Sequence, residues 1–195
     1  MKELHMDAIG RYWQRHFPGT APVGWALQSS FPDRWVRLHS LPGSKQYPDG
    51  KKHRAIIAER ALALAHALLS DTGPYYMLAN VYAPEPGLPF AVTQDWRYHG
   101  AELSQSFSCL EDSADQASQI VVFTGQTERL SRGFEAAVLG IAEERSARCI
   151  WVSPKRPAAF APYAGGFDLI TAVPDDVATF KAQFKRWLSK HPDGF

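Results

Sequence analysis

The chain has 195 residues, of which 45% are hydrophobic and 21% are charged, with 14 glycines and 14 prolines. This is the size and composition of one compact globular domain, and such a domain buries about 70% of its unfolded surface without needing a disulfide or a metal. The 21 basic and 20 acidic residues give a net charge of +1. That balance disfavours a general affinity for nucleic acid or for an anionic membrane.

The two cysteines, Cys109 and Cys149, form no Cys-x-x-Cys motif. The sequence therefore predicts neither a disulfide framework nor a cysteine zinc site, and we interpret both as reduced thiols. No apolar run approaches the roughly 20 residues that a membrane span needs, and the first residues lack the apolar core of a secretory signal. These observations predict a cytoplasmic protein.

Apolar residues recur at helical spacing in four segments of the chain. The segments are residues 2–17, 49–70, 130–141 and a last helix that opens at Pro174. The second is the most regular, and Gly73-Pro74 lies just beyond its end, where such residues stop helices. The last carries acidic residues in its first turn and basic residues towards its end, as the helix dipole favours.

Short β-favouring runs occupy much of the remaining chain. Residues 23–28 and 35–39, separated by turn formers, predict a hairpin. Further strands are predicted at residues 75–82, 92–98, 103–110, 120–123, 149–153, 158–162 and 167–172. Because the strands come in runs between helices, we predict a single α+β domain over residues 1–195, with a mostly antiparallel sheet and about four helices.

Motifs that carry well-known chemistry are missing from the sequence. The segment Leu41-Pro42-Gly43-Ser44-Lys45 lacks the first glycine and the residue order of a phosphate-binding loop. The seven histidines never form His-Glu-x-x-His or another close pair on a helix, and there is no Gly-x-Ser-x-Gly elbow. The sequence therefore predicts no catalytic residue, no metal ligand and no cofactor.

A first polar cluster surrounds the end of the strand predicted at 35–39. Its side chains are Arg37, His39, Ser40, Ser44, Lys45 and Tyr47. Strand alternation places Trp35, Arg37 and His39 on one face. Cations that converge there could hold a carboxylate, a phosphate or an acidic side chain of a partner. Alternatively, Arg37 and Lys45 pair with acids of the same domain while the other side chains bond the loop.

A second polar cluster lies at residues 160–168. The pair Gly165-Gly166 predicts a tight turn that needs positive φ, in which Asp168 accepts backbone N–H bonds. The alternative is that Tyr163 and Asp168 project beside the first cluster and form one polar surface with it. We predict that the clusters meet, with Arg37, His39 or Lys45 close to Tyr163 or Asp168, because burying Arg37 and His39 unpaired would cost several kcal/mol and Asp168 is a natural partner.

Charge is distributed unevenly along the sequence. Residues 34–54 contain six Lys or Arg and only one acid, whereas residues 98–128 contain five acids and no Lys or Arg. If residues 100–118 form a loop, their acids would offer an anionic surface to a cationic partner. Alternatively, they are solvated loop acids without a partner, or they face the basic segment within the domain.

The two clusters resemble the signatures of a family of small, uncharacterised bacterial proteins, a domain of unknown function. The residues that carry the first match are Arg34-Trp35-Val36-Arg37-Leu38-His39-Ser40-Leu41-Pro42-Gly43-Ser44-Lys45-Gln46-Tyr47-Pro48. Those that carry the second are Phe160-Ala161-Pro162-Tyr163-Ala164-Gly165-Gly166-Phe167-Asp168. The ending at residues 187–194 is similar too, and Ala164 replaces an aspartate usual in the family. The resemblance implies a bacterial origin and no established catalytic residue.

Two hypotheses for the function come from different classes. The first is a non-enzymatic binding protein, an immunity-type protein that neutralises a toxin domain; its 12% of aromatic residues suit a protein interface. The second is a small-molecule or nucleotide-handling enzyme in which Arg37 and Lys45 bind an anion and His39 acts as the acid or base. A protein partner is thus expected, a membrane is not, and the low net charge disfavours RNA.

Overall fold

The computed structural model describes residues 7–82, 95–99, 101–113 and 116–188. Five α-helices lie in this part of the chain: α1 (Ala8–His16), α2 (Gly24–Ser30), α3 (Gly50–Leu69), α4 (Arg132–Ala142) and α5 (Asp176–Gln183). The strands are β1 (Trp35–His39), β2 (Tyr75–Tyr82), β3 (Asp95–Tyr98), β4 (Ala101–Ser113), β5 (Gln116–Thr127), β6 (Cys149–Ser153), β7 (Arg156–Tyr163) and β8 (Gly166–Ile170).

All eight strands form one sheet in the order β1-β8-β7-β6-β2-β5-β4-β3. Every strand pair is antiparallel, so the predicted α+β class with an antiparallel sheet is confirmed. Strands β6, β7 and β8 follow one another as a meander, and β1, from the first part of the chain, adds to it beside β8. The two predicted polar clusters therefore lie on neighbouring strands.

Helices pack on both faces of the sheet. Helices α3, α4 and α5 share one apolar core with side chains such as Met77, Trp151 and Phe160, and we call this side the α3 face. Helices α1 and α2 share a second core with side chains such as Leu78 and Ile150, on what we call the α1 face. The assignments follow strand alternation, which sends successive residues of a strand to opposite sides.

Helix α3 illustrates how the sequence pattern places an element. Ile57, Ala61, Leu64 and Leu68 recur at intervals of three and four and are fully buried, so one stripe of the helix faces the sheet. The helix spans Gly50–Leu69, close to the predicted bounds 49–70. The predicted strands of the second half also occur, with small shifts of their ends.

The predicted hairpin at residues 23–28 and 35–39 is wrong. Residues Gly24–Ser30 form helix α2, and β1 pairs with β8 instead of with a preceding strand; Arg37 and Asp168, which are paired in these strands, are 131 positions apart in the chain. Helix α2 has no side-chain cap at Val23, but Leu27 is fully buried in the α1-face core. Burial of Leu27 thus decides the conformation of a segment whose local preference favours β structure.

The alternative of a loop over residues 100–118 is also wrong. Its residues belong to β4 and β5, apart from 100, 114 and 115, which lie outside the described residues. Of the predicted strand 92–98, only residues 95–98 are described, and they form β3. Residues 2–6 of the predicted first helix lie outside the described part as well. The last helix starts at Asp176, two residues after Pro174, and ends at Gln183.

Candidate functional site

The first and second polar clusters meet where β1 lies beside β8. Arg37 and Asp168 are direct partners in the register of these strands. Nε of Arg37 donates to Oδ1 of Asp168 at 2.8 Å, and Nη2 donates to Oδ2 at 3.0 Å. This two-pronged ion pair joins residues 131 positions apart. The prediction that the clusters meet, with Asp168 as the partner of Arg37, is confirmed.

Two aromatic side chains complete this group, which we call the Arg37–Asp168 cluster. The indole Nε1 of Trp35 donates to the same Oδ1 of Asp168 at 2.8 Å. The guanidinium carbon of Arg37 lies 5.1 Å from the ring centre of Trp35 and 4.9 Å from that of Tyr163. Such stacking adds to the ion pair, because the negative face of an aromatic ring attracts a cation. The cluster consists of Trp35, Arg37, Tyr163 and Asp168.

Burial and charge act in opposite directions within the cluster. Burial lowers the pKa of the Arg37 guanidinium, but the hydrogen bond and charge of Asp168 outweigh it, so this pKa lies above its usual value. Burial, followed by the negative charge of Asp168, raises the pKa of the Tyr163 hydroxyl, although Arg37 opposes the shift. Arg37 therefore stays charged and Tyr163 stays neutral at physiological pH.

The glycine pair holds β8 against β1. Gly165 has φ of +104°, a region that side chains rarely adopt, so it makes the predicted turn between β7 and β8. A Cβ added to Gly166 would lie 2.6 Å from the carbonyl oxygen of Leu38 in β1. The lack of a side chain at this position lets the two strands approach, and that approach positions Asp168 opposite Arg37.

His39, Ser40 and Ser44 lie at the end of β1 and bind the loop to the turn. Nε2 of His39 and Oγ of Ser44 are 3.1 Å apart, and the backbone N–H of Ser40 donates to the carbonyl of Gly165 at 3.0 Å. Burial, helped by the positive charges of Arg60 and Arg37, lowers the pKa of His39. His39 is therefore a neutral imidazole at pH 7, next to the Arg37–Asp168 cluster.

Lys45 and Tyr47 point away from that cluster. Lys45 forms an ion pair with Asp49, four residues further on. The Tyr47 hydroxyl donates to Oε2 of Glu144 at 3.1 Å, beyond the end of α4. Arg37 binds Asp168 and Lys45 binds Asp49, so the two cations do not converge on one anion position. The expectation that they converge to hold an external anion is therefore corrected. The pairing of Arg37 and Lys45 within the domain is the arrangement found.

A small pocket of about 170 Å³ opens beside the Arg37–Asp168 cluster on the α1 face. Arg37, Tyr163 and Asp168 line one side, and Asn80 of β2 lies on the other; we call it the Asn80 pocket. Asn80 is only 5% exposed, and its amide nitrogen donates to the carbonyl of Pro22. Its Oδ1 is buried and has no hydrogen-bond partner among the described residues.

Trp25 and Arg148 lie at the pocket mouth, and Tyr82 lies further along β2 on the same side of the sheet. Trp25 and Arg148 line the pocket directly, and Tyr82 lies two residues after Asn80 on the same face of β2. Trp25 is 37% exposed and Tyr82 is 47% exposed. The Arg148 side chain is exposed, and no described residue forms an ion pair with it. Sequence reasoning missed these three residues and Asn80, because they come from segments that only the tertiary structure brings together.

One family model matches this sequence. It is described as "Domain of unknown function (DUF3885)", and it covers residues 23–192. The chain belongs to this family. No curated protein and no solved structure matches the chain. The DUF3885 region starts one residue before α2 and contains every residue of the Arg37–Asp168 cluster and of the Asn80 pocket mouth, so the candidate site is part of the family domain.

The described part of this DUF3885 chain contains neither a cluster of metal ligands nor a membrane-spanning helix. Within residues 7–82, 95–99, 101–113 and 116–188, no group of three or more His, Cys, Asp or Glu could hold a metal ion. No helix in the same residues has the length and apolar character needed to cross a membrane. Neither cysteine forms a disulfide within these residues, and burial raises the pKa of Cys149 to about 12, which leaves it protonated near neutral pH.

Proposed function

We propose that this DUF3885 chain is a non-enzymatic, cytoplasmic bacterial protein that binds a protein partner through the Asn80 pocket and its mouth. The partner is a toxin domain, which the chain neutralises as an immunity protein. The observation that carries the proposal is the combination of an exposed tryptophan with a small pocket lined in part by Asn80, whose Oδ1 is a buried acceptor without a partner among the described residues.

The size of the pocket favours a single inserted side chain. Pockets for free small molecules have volumes of about 300–1,000 Å³, whereas the Asn80 pocket has about 170 Å³. A cavity of about 150 Å³ holds a group the size of benzene. A partner side chain of this size that carries an N–H or O–H donor would fill the pocket and bond Oδ1 of Asn80.

The residues of the mouth and the nearby Tyr82 are of the types that dominate binding energy in protein interfaces. Trp, Tyr and Arg are enriched in such hot spots, and Trp25, Tyr82 and Arg148 provide one of each. No described residue forms an ion pair with Arg148, so a carboxylate of the bound protein would provide the counter-charge of its guanidinium. We therefore expect the partner to present an acidic residue next to the side chain that enters the pocket.

The alternative of an anion-binding enzyme receives less support from the geometry. It needs Arg37 and Lys45 to meet on one ligand, but each binds its own carboxylate. It also needs His39 to exchange protons near neutral pH, whereas burial and two arginines lower the pKa of His39. Because Arg37 and Lys45 are each paired with a carboxylate of the domain, they do not form a shared binding position for an anion.

The test is protection of cells against the toxin. Each toxic protein encoded next to this gene is expressed with the chain, and growth is measured together with the dissociation constant of the purified pair. Truncating an interface tryptophan costs about 2 kcal/mol or more, which is about 30-fold in Kd. We expect the wild-type chain to restore growth, and Trp25→Ala and Arg148→Glu to weaken binding by at least that factor.

Val173→Ala is the matched control, because Val173 is 49% exposed but does not line the pocket. It should protect cells as well as the wild type does. The unfolding midpoint of each variant shows whether a loss of protection follows from unfolding. The proposal fails if the chain protects against none of these toxic proteins, or if both mouth variants bind as tightly as Val173→Ala.

A further inference from the structure

A second and larger pocket, of about 490 Å³, lies on the α3 face of the sheet. It is enclosed by β2, β5, β6, the turn between β3 and β4, and the first turn of α4, and we call it the Phe134 pocket. None of the residues predicted from the sequence as a binding site lines it. Its volume falls within the range of about 300–1,000 Å³ that is typical of small-molecule sites.

The floor of the Phe134 pocket is apolar and aromatic. Met77, Phe134 and Trp151 line it, and all three are at least 95% buried. The rings of Phe134 and Trp151 meet edge to face, with centres 5.0 Å apart. Such a pair fixes both rings, and their few exposed atoms form the apolar end of the pocket.

One wall of the pocket is held in place by close backbone contacts. His99, in the turn between β3 and β4, has φ of +47°, a conformation that is unusual for a residue other than glycine. A Cβ on Gly133 of α4 would lie 2.8 Å from the carbonyl oxygen of His99, and one on Gly140 would lie 3.2 Å from its Nε2. The two glycines let the turn lie against α4 and enclose the pocket.

The rim of the pocket carries one unpaired cation. Arg129 is exposed, and no described residue forms an ion pair or a hydrogen bond with its guanidinium. His99, which also lines the pocket, is held by Ser146 at 2.8 Å, and burial followed by the charge of Arg145 lowers its pKa. Glu102 adds one carboxylate to the lining, which disfavours a ligand with more than one negative charge.

We propose that the Phe134 pocket binds a small aromatic monocarboxylate, whose ring packs on Phe134 and Trp151 and whose carboxylate binds Arg129. The guanidinium of arginine matches a carboxylate with two parallel hydrogen bonds. This site lies on the opposite face of the sheet from the Asn80 pocket, so it does not depend on the proposed partner binding. It gives the DUF3885 domain a small-molecule ligand in addition to a protein partner.

The probe is 3-phenylpropanoate, titrated into the full chain by calorimetry. Phenethylamine, which has a similar body but carries a positive charge, is the comparison ligand. We expect saturable binding of the carboxylate and at least tenfold weaker binding of the amine. Hydrogen bonds to charged groups contribute about 1.5–3 kcal/mol, so Arg129→Gln should weaken 3-phenylpropanoate binding by roughly 10- to 100-fold.

Arg132→Gln is the matched control, because Arg132 is an exposed arginine of α4 three residues away that does not line the pocket. It should bind the probe as the wild type does. The indole NMR signal of Trp151, assigned with Trp151→Phe, should shift on binding and report the location. Absence of saturable binding, equal loss in both arginine variants, or preference for the amine would each overturn the proposal. None of these results tests whether the chain protects cells by binding a toxin domain at the Asn80 pocket.

Discussion

Replacing Asp168 by asparagine tests the central contact of the domain. The substitution keeps the shape of the side chain but removes its charge. Asp168 accepts three hydrogen bonds, two from Arg37 and one from Trp35. An amide has only one acceptor oxygen, and both oxygens of Asp168 accept from Arg37, so the NH₂ group of the asparagine must face an N–H of the guanidinium in either orientation. The positive charge of Arg37 then loses the counter-charge of Asp168.

The expected loss of stability follows from how deeply the pair is buried. Breaking a buried ion pair by removing one partner costs about 3–5 kcal/mol. The side chain of Asp168 is 5% exposed and that of Arg37 is 15% exposed, so water partly screens the charge that remains. We therefore expect a loss near the lower end, about 3 kcal/mol. For a domain of this size, that lowers Tm by roughly 6–12 °C.

The measurement is urea unfolding followed by circular dichroism and tryptophan fluorescence. Asp49→Asn is the matched control, because Asp49 pairs with Lys45 at the surface and its side chain is 72% exposed; it should leave the midpoint unchanged. Arg37→Met in the Asp168→Asn background removes the charge that has lost the Asp168 carboxylate and should restore part of the stability. An Asp168→Asn midpoint as high as that of Asp49→Asn would refute this account of the cluster.

Three further predictions concern pH, thiol chemistry and strand packing. The pKa of His39 in the folded protein lies below its usual value of 6.5. The contribution of the neutral imidazole to the free energy of unfolding is therefore complete above pH 6.5 and is lost as the pH falls. His39→Gln should reduce the acid dependence of the free energy of unfolding. Cys149, with its pKa raised to about 12, should react with iodoacetamide at pH 8 only after unfolding, whereas Cys109, which is partly exposed, should react in the folded protein. Gly166→Ala should lower the urea midpoint by the equivalent of about 1–3 kcal/mol, because its Cβ would lie 2.6 Å from the backbone oxygen of Leu38.

The sequence pattern was sufficient for elements whose preference and burial agree. Helix α3 has a complete apolar stripe, and β2 is a run of β-favouring residues, so both were predicted with nearly correct ends. The contact between Arg37 and Asp168 was predictable for another reason. Arg37 lies on a strand with buried neighbours, so its guanidinium needs a partner. The carboxylate of Asp168, which follows the Gly165-Gly166 turn, is the natural partner for it.

The errors arise where tertiary contacts oppose the local preference. Residues 24–30 become helical because Leu27 enters the α1-face core. The acids between residues 100 and 118 suggest a loop, but β4 extends past most of them because Leu103 and Phe107 are buried against the helices of opposite faces. The pockets could not be predicted either, since each is lined by residues from at least four separate segments.

The difference between the two faces of the sheet explains why protein binding is expected on the α1 face. Helices of 20, 11 and 8 residues cover the α3 face, whereas helices of only 9 and 7 residues cover the α1 face among the described residues. The end of the α1 face that includes β1 and β8 carries the Arg37–Asp168 cluster, with Trp25 exposed beside it.

This arrangement predicts that stability and partner binding can be separated by mutation. Asp168→Asn should weaken both, because Asp168 holds β1 on β8 and also lines the Asn80 pocket. Arg148→Glu should weaken binding alone, because Arg148 is exposed and has no ion pair to lose among the described residues. Unfolding midpoints and dissociation constants of the two variants check this directly. If Arg148→Glu lowered the midpoint as much as Asp168→Asn does, the pocket mouth would be a structural element of the fold and not a surface for a partner.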